Sequence, residues 1–210
     1  MNRVVLNTAG AAVLTAAVAI PVAVAAQSDM STTIARVDLK PLNNSHATGQ
    51  AELRLSYDHR DLTVLIQARG LEPGGQHISH IHGLSNDGQP VNSTCPTIAQ
   101  DTDSDGYVEL AEGQSRYGPI LIDFMNIDPD QDGQVNFKTT IHLTGAEMAL
   151  PLQLREIVVH GLTVPAVGAG TPGEVDGTAG YKVVLPVLCG DIRVTGSEAG
   201  PLQFRTPPAH

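Results

Sequence analysis

Three of the eight histidines fall in one short stretch, Gly74-Gly75-Gln76-His77-Ile78-Ser79-His80-Ile81-His82-Gly83. A neutral imidazole is the commonest protein ligand for transition metals, so this stretch is the first place to look for chemistry. It lies between turn glycines and is too short and too rich in Ile and His for a helix, which predicts a strand. Alternate side chains of a strand share a face, so His80 and His82 project together and His77 to the other side. Two imidazoles held this way can enter one coordination sphere. They can equally be a structural or solvated pair, and a metal reading needs a third ligand from elsewhere in the chain.

Carboxylates supply the second candidate chemistry. The run from Asp101 to Glu112 reads DTDSDGYVELAE, with acids at positions 1, 3, 5, 9 and 12 of a twelve-residue calcium loop and Gly106 at position 6, where the backbone must turn sharply. Asp101, Asp103, Asp105, the Tyr107 carbonyl, Glu109 and Glu112 are the expected ligands. The alternative is an acidic, solvated loop, in which five like charges repel one another unless a cation screens them. Asp128, Asp130, Asp132 and Gly133 repeat the start of the pattern, but Thr139 stands where the bidentate glutamate is wanted. This second loop reads either as a partial calcium site or as a plain Asp/Gly turn.

The elements that must position these groups are short and β-rich. Ala35 to Lys40, Ala51 to Tyr57, and Leu62 to Ala68 alternate apolar with polar residues and predict strands, the last two as a hairpin. Pro119 to Phe124, Val135 to Leu143, Arg155 to Gly161 and Tyr181 to Gly190 continue the series. Residues 84 to 119 break the rhythm and read as a long surface loop. Helix is expected only as a short piece near 109 to 117 or 145 to 150. His46 and His59 fall in turns and His142 on a polar strand face, so all three are expected to be exposed. The pattern is all-β, an antiparallel Greek-key sandwich or flattened barrel with long metal-binding loops.

Composition sets the compartment and the partners. Residues 1 to 26 have a basic start at Arg3, an Ala/Val-rich run and small residues at Ala23, Ala25 and Ala26, which predicts a cleaved secretory signal and a secreted, periplasmic or extracellular protein with no membrane anchor. Without Arg3, 11 Lys and Arg face 22 Asp and Glu, a balance that excludes nucleic acid and anionic membranes as partners and favours cations. Cys95 and Cys189 are the only cysteines, and an isolated pair in an exported chain predicts a disulfide. In the chain-entropy view, closing so long a loop contributes roughly 4 to 5 kcal/mol. The β domain is expected over 27 to 194, followed by a loosely ordered tail from 195 to 210.

Taken in order, His80-x-His82-Gly83, Cys95, Ile157-Val158-Val159-His160, a glycine-rich loop and Cys189-Gly190 resemble the copper,zinc superoxide dismutase superfamily over roughly residues 35 to 194. The first half, from Gly70-Leu71 to Gly83, also resembles the CHRD domain of chordin and of many exported bacterial proteins. The first resemblance implies that His80, His82 and His160 are copper ligands and that Cys95 and Cys189 form the structural disulfide. No histidine lies between Gly83 and Ile141, so a zinc site of the family type is not expected, and the acidic loop 101 to 112 occupies that region. The family's anion-guiding arginine, three residues before the last cysteine, is here Pro186. The resemblance therefore implies copper binding with weak or absent superoxide dismutation, to which the carboxylate pattern of residues 101 to 112 adds a calcium loop. The alternatives are an active copper-only dismutase and a non-enzymatic CHRD-type structural module.

Overall fold

The computed structural model describes residues 30–144, 149–168 and 173–199. The expected signal at 1–26 lies outside them. Nine strands form one antiparallel sheet that curls into a nearly closed barrel: β1 (Ser31–Pro41), β2 (Thr48–Leu55), β3 (Asp61–Arg69), β4 (Ile78–His82), β7 (Ile120–Asn126), β8 (Val135–His142), β9 (Glu156–Val164), β10 (Gly180–Asp191) and β11 (Arg193–Ala199). The order is β7-β4-β9-β10-β1-β2-β3-β8, with β11 paired beside β1. Neither β3 and β4 nor β8 and β9 are neighbours, so the chain crosses the barrel end twice in Greek-key fashion.

Strict alternation accounts for the first half of the sheet. Leu53 and Leu55 on β2, and Leu62, Val64 and Ile66 on β3, are buried at 4 % exposure or less, while the residues between them are more exposed. β9 differs, since Glu156 through Gly161 are all buried. Ile157 and Val159 join the barrel core, whereas Val158 packs outside it with Tyr117 and Cys189. A strand covered on both faces reads as a continuous apolar run, which explains Ile157-Val158-Val159. Residues 84–119 supply the outer cover.

That segment is more ordered than a surface loop. It holds a small hairpin, β5 (Leu84–Asn86) with β6 (Gln89–Val91), turned by Asp87-Gly88 with both residues at positive φ. It also holds α1 (Leu110–Tyr117), which begins where the Glu109 N–H donates to the Glu112 carboxylate at 3.0 Å and ends at Gly118. Residues 145–148, in the other expected helical stretch, lie outside the described residues. The expected boundary at 194 is corrected: β11 pairs with β1 from Arg193 to Ala199. All seven of its residues are exposed, so no buried face imposed an apolar alternation, and the pairing left no trace in the sequence. The Cys95–Cys189 disulfide joins the cover to β10, with Cα atoms 5.8 Å apart. No described helix is long and apolar enough to cross a membrane.

Candidate metal centre

β4 pairs with β9 so that His80 faces Val158 and His82 faces Glu156 across the ladder. Ile81 enters the core, so its neighbours His80 and His82 point outward under the cover, on the face that His160 shares. The three rings lie with centroids 5.5 Å (His80 to His82), 5.3 Å (His80 to His160) and 5.8 Å (His82 to His160) apart. One nitrogen from each falls within 4.8 Å of the other two, close enough to hold a single metal ion.

The hydrogen bonds identify those nitrogens. The His82 Nδ1–H donates to the Gly118 carbonyl at 2.9 Å and the His160 Nδ1–H to the Val184 carbonyl at 2.7 Å. A carbonyl can only accept, so each Nε2 carries a free lone pair. His82 Nε2, His160 Nε2 and His80 Nδ1 are all buried without a hydrogen-bond partner. Three buried polar atoms left unsatisfied at one point is costly unless something else satisfies them. Burial pushes the pKa of His160 down to about 3 and of His82 down to about 4, and it lowers His80 as well. All three are therefore neutral at pH 7, the protonation state that binds metal.

The cover excludes water. His80, His82 and His160 are 5 %, 1 % and 1 % exposed. Tyr117 packs edge-on against His82 with centroids 4.7 Å apart, and its hydroxyl donates to the Leu110 carbonyl at 2.7 Å. Arg155 is buried, and its Nη1 donates to the carbonyls of Leu84, Val91 and Leu154 at 3.0 to 3.2 Å. Gly83 makes room for it, because a Cβ there would stand 2.4 Å from Arg155 Cδ. His77 is buried but takes no part, since its two ring nitrogens face the His160 and Glu72 carbonyls at 3.0 and 3.1 Å. His46, His59 and His142 are exposed, as their turns and polar face predict.

The acidic loop is brought together in part. Asp101, Asp103 and Asp105 converge within the same 4.8 Å limit, with Gly106 at φ +93° where the loop turns. Tyr107 follows, its N–H on the Asp105 carboxylate at 2.8 Å. Glu112 accepts instead from the Thr102 N–H and hydroxyl and from the Glu109 N–H. Glu109 is buried and turned to the Val175 N–H, which lashes the glycine-rich loop to the start of α1. In the second loop Asp130 accepts from the Asp132 and Gln134 N–H groups, an Asx-type turn, and Asp128 accepts from the Asn126 amide. Asp128, Asp130 and Asp132 form no metal-holding group in this structure.

Sequence reasoning missed Tyr117, Glu156 and Asp123. Glu156 was legible, because it sits four residues before His160 on the same face of β9. Asp123 was not, because it meets His80 through a bulge in the β4–β7 pairing that no periodicity announces. No protein-family model matches this sequence, and no curated protein matches it either.

Proposed function

We propose that this is an exported copper-binding protein of superoxide dismutase-like fold, holding one copper ion through His80 Nδ1, His82 Nε2 and His160 Nε2. The observation that carries the reading is the convergence of three unsatisfied, neutral imidazole nitrogens in one buried spot. A ligand set of imidazoles without thiolate or carboxylate suits copper or zinc, and copper stands highest in the divalent affinity order. The Greek-key order, the triad split between β4 and β9 and the disulfide to β10 agree with the resemblance drawn from the sequence. Copper would supply a one-electron redox couple. The chain's own contribution is to fix the rings, keep them unprotonated and exclude water.

The closed cover argues for holding copper over turning over superoxide. The buried Pro186, which pairs with His160 where a guiding arginine would stand, points the same way. Calcium is the reading for Asp101, Asp103 and Asp105, supported by the convergence of the three aspartates and the glycine turn. The test is titration of metal-free protein with copper. One equivalent should bind, with about three nitrogen donors by X-ray absorption, and His160→Ala should abolish tight binding. Stoichiometric binding that survives this substitution would falsify the site. Superoxide decay on the loaded protein should run far below the diffusion ceiling of about 10⁹ M⁻¹s⁻¹, and a rate near that ceiling would make it a dismutase instead.

A further inference from the structure

The three candidate ligands are not held alike. His82 and His160 are fixed by backbone carbonyls, which no side-chain substitution can remove. His80 has no such partner. Its Nε2 faces the Asp123 carboxylate, with Oδ1 at 3.6 Å. Asp123 stands opposite His80 in the β4–β7 ladder, at a bulge where two residues of β4 span three of β7. The carboxylate is aimed by its own backbone: the Met125 N–H donates to Asp123 Oδ1 at 2.7 Å, with Met125 at φ +70°. A methionine in the left-handed region is unusual, and it falls where the β4–β7 pairing shifts register.

We propose that Asp123 is the positioning residue for His80, selecting the tautomer that presents Nδ1 to the metal. This rests on the metal reading of the triad. At 3.6 Å the contact is longer than a hydrogen bond, yet a carboxylate oxygen attracts an N–H and repels a lone pair, so the ring proton is favoured on Nε2. The proton on Nε2 leaves the lone pair on Nδ1, the nitrogen that is buried and without a hydrogen-bond partner. The choice matters geometrically. Alternate Cα atoms on a strand lie about 6.6 Å apart, so His80 and His82 reach one point by offering the near nitrogen of one ring and the far nitrogen of the other. A proton on Nδ1 would remove His80 from the set. Carboxylates in this outer position commonly raise ligand basicity as well.

Asp123 is 55 % exposed, so its removal should leave the fold intact. Nitrogen-15 NMR of metal-free protein should find His80 as the Nε2–H tautomer, with Asp123→Ala shifting it toward a mixture while His82 and His160 stay unchanged. Copper affinity should fall about 10- to 100-fold in Asp123→Ala. It should fall less in Asp123→Asn, which keeps an acceptor but loses the charge, and recover in Asp123→Glu. An unaltered His80 tautomer and unaltered affinity in a folded Asp123→Ala protein would overturn the proposal, as would an Nδ1–H tautomer in the wild type. Wild-type protein that binds no copper would sink the copper reading instead, and the metal-free tautomer measurement would still decide the role of Asp123.

Discussion

Glu156 is fully buried beside His82, and its state can be read from one shared hydrogen. Ser93 Oγ lies 2.7 Å from the Leu154 carbonyl and 2.8 Å from Glu156 Oε2. A hydroxyl has one proton and the carbonyl has none to give, so both contacts are satisfied when Ser93 donates to Leu154 and a protonated Glu156 donates to Ser93. Burial accordingly pushes the Glu156 pKa from 4.5 up to about 8. The folded protein then holds a proton that the unfolded chain has released, so stability is fullest below about pH 4.5 and declines as pH rises toward 8. The buried histidines act oppositely. Their folded pKa values are depressed below 6.5, so their contribution is present above pH 6.5 and lost as pH falls. The interval from pH 6.5 to 8 therefore isolates Glu156. One proton difference over that interval amounts to about 2 kcal/mol at 1.36 kcal/mol per pH unit, or a fall in Tm of roughly 4 to 8 °C for a domain of this size. Glu156→Gln keeps a donor for Ser93 and cannot ionise, so its Tm should stay level. Thermal unfolding of metal-free wild type and variant at several pH values decides the matter, and parallel curves would refute the assignment of a neutral Glu156.

Replacing both Cys95 and Cys189 by serine should cost roughly 4 to 5 kcal/mol, read as a lowered urea midpoint, because a 94-residue separation is closed by that bond. Gly83→Ala should destabilise by about 1 to 3 kcal/mol, since the added methyl displaces Arg155 from its carbonyls, and an unchanged denaturation midpoint would count against that packing. Millimolar calcium should raise the Tm and protect the 101–112 loop from proteolysis. Asp103→Asn should abolish that effect more fully than Asp132→Asn, and equal losses would contradict the ranking of the two loops.

How much of this was legible depended on whether a residue's neighbours lay in its own strand. His80 and His82 share a face by parity alone, and Leu53, Leu62 and Ile66 reveal their strands by alternation. Asp87-Gly88 carried a hairpin signal that the surrounding polar residues masked. His160 was reached through a resemblance, because nothing local says that β9 lies against β4. β11 gave no signal since both its faces are exposed, and Asp123 gave none since a bulge sets its register. The roles of Glu109 and Glu112 diverged from the loop pattern because both carboxylates have backbone donors of their own at the start of α1.

The same burial that makes the triad a credible metal site limits what the metal can do. Taking the rings out of water is what lowers their pKa values and leaves their lone pairs unprotonated at neutral pH, which strengthens binding. It also leaves only the edge of His80 open to solvent, beside a carboxylate that repels small anions. The chain carries a formal net charge of −10, so the long-range field opposes an anionic substrate as well. A site that must be reached at every turnover needs an open path and an attractive field, whereas a site that must hold its ion needs neither. Among the described residues the features around the triad, from the edge-on Tyr117 contact to the Arg155 clamp on the cover, would favour retention of a bound ion over turnover.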